Sequence, residues 1–316
     1  MASKEIIDKS RRFYENHVAP MIRSKFPEYE TRIAVGIAGE GSDCFGYDDF
    51  ISRDHDFGTG VCLWLTEVDF HKFGGLLSIN YNELVDSMPG ADLTDRLRQR
   101  RGVMTISGFY SYVLGTDCDA EKDEISEDTW RAFDHSCLAT AVNGEVFRDD
   151  LGMFSAYRKA LLGYYPDRIW RERIASELHN FSSSLQVNYS RCMARKDSVA
   201  AEICKARGIE AAMQLFFLLK RVYPPYYKWT FRALTEIDTK SSFARHIKEL
   251  AETGCNHAAW EYIRYIPDNL NVSDRVVVLA EQIAEMLRDM LIASRLTKSD
   301  DAYLEKHVDE ILKGNL

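Results

Sequence analysis

The chain has 316 residues, enough for one large or two ordinary domains that each bury a core. Hydrophobic residues make up 46% and charged residues 28%, a balance that excludes a disordered or fibrous protein. Lys and Arg number 40 against 49 Asp and Glu, a formal charge of −9 with no dense basic block. A long nucleic acid is therefore a poor partner, while a small anion such as a nucleotide with its metal stays open.

Ile7, Tyr14, Val18, Met21 and Ile22 recur near helical spacing and predict an amphipathic helix over residues 3–25 that backs a sheet. The same stretch is charged throughout, without the apolar core of a signal peptide, and no later run reaches ~18 apolar residues. No membrane partner and a cytoplasmic location are expected. Residues 32–38 form an apolar run of strand length that ends in Gly39-Glu-Gly-Ser42. After an Asp-rich loop, residues 60–65 read as the neighbouring strand. A third strand, residues 103–106, follows a helical stretch and the cluster Arg96, Arg98, Arg100 and Arg101. That cluster reads as a phosphate-facing patch or, more simply, as an exposed charged helix.

From about Ser126 the pattern turns helical, as in Ile209, Ala212, Met213, Phe216 and Leu219, or Val277, Leu279, Ile283, Met286, Leu287 and Leu291. The expected fold class is α+β, a small mixed-sheet domain over 1–120 followed by an all-α domain over 121–316. Seven scattered cysteines without a CxxC pair predict reduced thiols that serve packing.

The stretch that carries chemistry is residues 35–58. A strand runs into Gly41-Ser42, and Asp54-x-Asp56 then leads into the next strand. Gly41 lets the backbone approach a phosphate, and Ser42 with nearby N–H groups can bond its oxygens. Asp54 and Asp56 stand two apart, so an extended segment points both to one face, a hard-oxygen site for one or two Mg²⁺. The bland reading is a turn-rich solvated loop, since Asp and Gly favour turns. His55-Asp56 also suggests a His-Asp phosphohydrolase, but that site needs further ligands from several helices, and alternation turns His55 away from the carboxylates.

This order of strand, Gly-Ser, about ten residues and Asp-x-Asp resembles the DNA polymerase β-like nucleotidyltransferases, which include aminoglycoside and lincosamide nucleotidyltransferases. The fuller string from Gly41 to Gly58 is similar to a bacterial family described mainly as a nucleotidyltransferase-like domain of unknown function. Segments 144–149, 164–170 and 223–229 agree with it. The resemblance implies a nucleotidyltransferase fold with Asp54 and Asp56 as the catalytic, metal-binding pair and Gly41 and Ser42 as the phosphate cradle. Asp49 and Ser52, in the same string, go with the nucleotide-binding residues, as does Lys228 of the helical part, which in related two-domain enzymes meets phosphates.

It further implies transfer of a nucleoside monophosphate, AMP from ATP or its equivalent from another triphosphate, to a hydroxyl of an acceptor, with a small molecule favoured. One departure stands out. Where the wider group commonly has a third carboxylate, this chain has Met104, a poor ligand for Mg²⁺. Glu172 or Glu177 of the helical part could supply the base instead. A catalytically weak nucleotide sensor is the alternative. Asp149 and Asp167 are expected to cap helices, and Tyr223, Tyr226, Tyr227 and Trp229 to pack rather than stack on a ligand.

Overall fold

The computed structural model describes residues 5–47, 51, 58–88, 95–122, 124–263, 265–267 and 269–314, without the side chains of Asp95 and Arg96. The chain divides into two compact units, Met1–Tyr164 and Tyr165–Leu316. The first unit carries a mixed four-stranded sheet, and the second is helical.

The first unit opens with the helix Glu5–Phe13, a π-helical turn Tyr14–Val18 and the helix Ala19–Lys25. Every residue of the predicted apolar stripe is buried, from Val18 at 0% to Tyr14 and Met21 at 8% exposure. Tyr14, Val18, Met21 and Ile22 cluster with Val35, Leu63 and Leu65 of the sheet and Ile7 with Ile37, so the helix backs it as its periodicity predicts. The strands are β1 (Ala34–Ile37), β2 (Cys62–Leu65), β3 (Gly102–Thr105) and β4 (Glu145–Arg148). They stand in the order β3-β2-β1-β4, with β1 antiparallel to both β2 and β4 and β3 parallel to β2.

The first three strands fall inside or within a few residues of the apolar runs that predict them. β4 does not fit the expectation of a helical second half. It is half-buried, Glu145 is paired with Arg11 and Arg148 with Glu30, and its pairing to β1 shifts between Val35 and Gly36. β4 joins the sheet, and the compact unit that holds it runs to Tyr164. On the other face, Trp64 stacks on Phe154 at 3.7 Å, edge-on to Phe109 at 5.4 Å.

The second unit is built on the helices Asp167–Phe181, Ser198–Lys220 and Arg275–Ala293. Asp274, fully buried, caps the last of these through Val276 N–H and also accepts from Tyr189 Oη and Trp260 Nε1 at 3.0 and 2.6 Å. A buried carboxylate with three donors is satisfied, so it organises the unit rather than weakening it. All seven cysteines are free thiols, as their spacing predicts. Among the described residues, no helix is long and apolar enough to cross a membrane.

Candidate functional site

The strand ends that matter for the site meet at one end of the sheet. Antiparallel pairing sets the end of β1 level with the beginnings of β2 and β4, and the parallel register sets β3 beside β2, with Cys62 opposite Gly102. The chain leaves β1 through Gly39 at φ +105° and Gly41 at φ +120°, then enters a short 3₁₀ turn, Asp43–Phe45. Gly41 is required here. Its φ is one that side chains rarely adopt, and an added Cβ would lie 2.2 Å from Asp43 Oδ1.

The turn is held from three sides. Asn143, just before β4, accepts from Gly39 N–H at 2.9 Å and donates to Gly39 C=O at 2.8 Å, completing the pairing that the backbone would otherwise lose at the strand end. Gly144 N–H donates to Cys44 C=O at 2.9 Å, and a Cβ on Gly144 would meet Ile37 C=O at 1.9 Å. Beneath lies an ion pair, Arg101 Nη2 to Asp43 Oδ2 at 3.0 Å, with side-chain exposures of 0% and 2%. Arg101 also donates to Ala38 C=O at 3.4 Å and to Cys44 Sγ at 3.3 Å, while Asp43 Oδ1 accepts from Cys44 N–H at 2.9 Å.

Burial works against the Arg101 charge, but Cys44 and Asp43 outweigh it and hold the guanidinium above its ordinary range. Burial likewise pushes up the Cys44 and Cys62 thiols, against the pull of Arg101, so neither is a nucleophile at neutral pH. The reading of Arg98, Arg100 and Arg101 as part of an exposed charged helix is corrected: Arg101 is fully buried and Arg100 nearly so, paired with Glu40 at 2.6 Å. An arginine this deep stays because its carboxylate partner is there to meet it.

Gly41 and Ser42 are half-buried at the surface of this turn. Ser42 makes no side-chain capping bond, and among the described residues the N–H groups of Gly41 and Ser42 have no acceptor. The turn thus presents two adjacent donors, the arrangement that binds an anion. Asp49, Ser52, Asp54, His55 and Asp56 lie outside the described residues, between this turn and β2 in sequence. Among the described residues no group of three or more His, Cys, Asp or Glu converges to hold a metal.

Met104 of β3 pairs in register with Trp64 of β2, is half-buried, and lines a cavity of about 730 Å³ that also touches Gly39 and Glu40. In the second unit, Lys228 is exposed in the first turn of the helix Tyr227–Ile237, its Nζ 5.3 Å from the Trp229 ring. Glu172 pairs with Arg168 at 3.1 Å. Glu177 is partly buried, and that burial raises its pKa despite a hydrogen bond from Asn180.

Asp149 is not the N-cap of the helix Met153–Leu162, a position taken by Gly152, but its carboxylate accepts from Gly152 N–H at 3.0 Å and from Ser155 N–H in the first turn at 2.7 Å. Asp167 does not cap: Pro166 takes that position, and Asp167 pairs with Arg171 one turn on at 2.7 Å. Tyr223 and Trp229 are buried in packing, Tyr226 accepts from Trp229 Nε1 at 2.7 Å, and Tyr227 is exposed.

Asp43, Arg101, Asn143 and Gly144 carry the turn; the sequence singles out neither Asp43 nor Asn143, and it does not show the buried role of Arg101 or the close approach at Gly144. Their signals are local. Asp43 follows Gly-Ser directly, Arg101 ends a polar helix against a strand, and Asn143-Gly144 is a turn pair. Residues 130–230 match the family described as a domain of unknown function, DUF4037, a span that holds Asn143, Gly144, β4 and Lys228. No curated protein and no solved structure matches the chain.

Proposed function

We propose that the chain is a Mg²⁺-dependent nucleotidyltransferase that moves a nucleoside monophosphate, AMP from ATP in the first instance, to a hydroxyl of a small acceptor. The observation that carries this is the turn after β1: a left-handed Gly41 clamped from beneath, two adjacent N–H groups without acceptors among the described residues, and Asp54-x-Asp56 in the segment that leads into the antiparallel neighbour. Under this reading the N–H groups of Gly41 and Ser42, with the Ser42 hydroxyl, hold the β and γ phosphates. Asn143 and the Asp43–Arg101 pair keep those donors in place before the ligand arrives, so binding does not have to order the turn.

Asp54 and Asp56 offer the hard oxygen donors that suit Mg²⁺, which when bound neutralises the triphosphate and acidifies the acceptor hydroxyl. The acceptor oxygen bonds to the α-phosphorus while the bond to the bridging oxygen breaks. Pyrophosphate leaves with that electron pair, and the hydroxyl proton passes to a base. Lys228 keeps the phosphate role that the resemblance implies.

Met104 favours a second reading, a nucleotide sensor without transfer, because β3 offers no carboxylate at that position. Labelled ATP with Mg²⁺ separates the two. Pyrophosphate release in the presence of an acceptor, lost in Asp54→Asn and Asp56→Asn, supports transfer. Saturable Mg·ATP binding with no release across an acceptor panel supports the sensor, and no Mg·ATP binding at all defeats both.

A further inference from the structure

The cavity beside the Gly41 turn is lined by residues of the first unit, both apolar and polar. Phe109, Val113 and Met104 make up its apolar lining, and Ser78, Asn82 and Gln99 contribute polar groups. The polar three have no side-chain hydrogen-bond partner among the described residues, so they are available to a ligand. At about 730 Å³ the cavity falls in the range of small-molecule sites.

Among the described residues, each arginine of its lining meets a carboxylate. Arg98 meets Asp86 at 2.6 Å, Arg100 meets Glu40 at 2.6 Å, and Arg101 meets Asp43 at 3.0 Å. A ligand carrying net charge would have to break one of these pairs or sit uncompensated beside it. Glu40 keeps an oxygen open. Arg100 and Tyr112 both reach its Oε2, which leaves Oε1 to accept a hydrogen bond, and Glu40 directly precedes Gly41.

We propose that this cavity is the acceptor pocket, and that it takes a neutral small molecule with an apolar ring and an alcohol group, the ring against Phe109 and Met104 and the hydroxyl on Glu40 Oε1. The proposal rests on the nucleotidyl-transfer reading. The hydroxyl so held lies beside the residue that precedes the phosphate cradle, which is where a transfer needs it.

The test uses the full chain and 2-phenylethanol as probe, with 3-phenylpropionate and phenethylammonium as its anionic and cationic counterparts, followed by ligand-observed NMR. Met104→Trp adds bulk at the apolar lining. Asn82→Trp narrows the pocket from an exposed helix position and keeps the test meaningful where the β3 variant fails to fold. The expected result is tightest binding of the alcohol and at least a tenfold loss in the Asn82 variant, with Mg·ATP binding unchanged.

Equal or tighter binding of either charged probe overturns the proposal, as does alcohol binding that survives both substitutions. Absence of Mg·ATP binding in the wild type overturns the transfer reading and the acceptor role with it. Mg·ATP binding beside an alcohol that ignores both variants overturns the pocket alone.

Discussion

Arg101→Met removes the cation beneath the Gly41 turn and leaves Asp43 buried with one donor, Cys44 N–H. The lost contacts are the 3.0 Å ion pair and the hydrogen bonds to Ala38 C=O and Cys44 Sγ, all shielded from water. Removing one partner of a buried pair costs about 3–5 kcal/mol, most of it the uncompensated remaining charge. For a unit of this size that lowers Tm by about 6–20 °C, at roughly 2–4 °C per kcal/mol. Calorimetry on the whole chain reads this in the transition of the first unit.

The double variant Asp43→Asn, Arg101→Met distinguishes charge from shape. The amide oxygen then at position 43 still accepts from Cys44 N–H but carries no charge, so the double variant recovers more than half of the loss. A single variant that costs less than about 1 kcal/mol refutes the reasoning. So does a double variant no more stable than the single, since then the missing packing of the arginine stem, and not the stranded carboxylate, sets the cost.

Gly41→Ala forces a Cβ against Asp43 Oδ1 at φ +120°, and is expected to lose about 1–3 kcal/mol and the melting shift given by Mg·ATP, whereas Gly75→Ala, where a Cβ meets nothing within 4 Å, leaves both intact. Chelation of Mg²⁺ with EDTA abolishes the ATP-induced melting shift in the wild type; a full shift without the metal would show that the chain's own cations suffice. Glu177 has its pKa raised by burial, so its contribution is present below the ordinary carboxylate range and is lost as pH rises through the elevated value. Glu177→Gln therefore gains in Tm relative to the wild type as pH climbs from ~4 to 7, and a difference that stays flat with pH contradicts that sign.

The strands most legible in the sequence are those whose apolar runs are buried on both faces. β1 and β2 are buried at every position, so Ala34–Ile37 and Cys62–Leu65 read as uninterrupted hydrophobic segments. β4 is an edge strand, half-exposed, with a charge at each end, and nothing in Glu145-Val-Phe-Arg148 separates it from a helical neighbour. Arg101 escapes for a related reason. Its partner Asp43 lies 58 positions away, and a charged residue whose neighbours are also charged looks solvated until the fold brings the counter-ion to it. Gly41 is legible because a glycine after a strand announces a backbone conformation, and the conformation is what the site uses.

The buried pair also bears on how charge is handled at the turn. Arg101 is committed to Asp43 and inaccessible, and Arg100 is engaged by Glu40. The described part of the turn therefore offers oriented N–H dipoles, while Arg100 and Arg101 beside it are held by carboxylates of the protein. A triphosphate placed there brings several negative charges that these dipoles only partly offset. Under the proposed function the remaining neutralisation would fall first to Mg²⁺ held by Asp54 and Asp56, which makes the metal dependence of nucleotide binding, before any chemistry, the sharper discriminant. An arginine in contact with the phosphates would bind nucleotide without metal; one locked beneath the turn fixes the donors and leaves the charge to be met from outside.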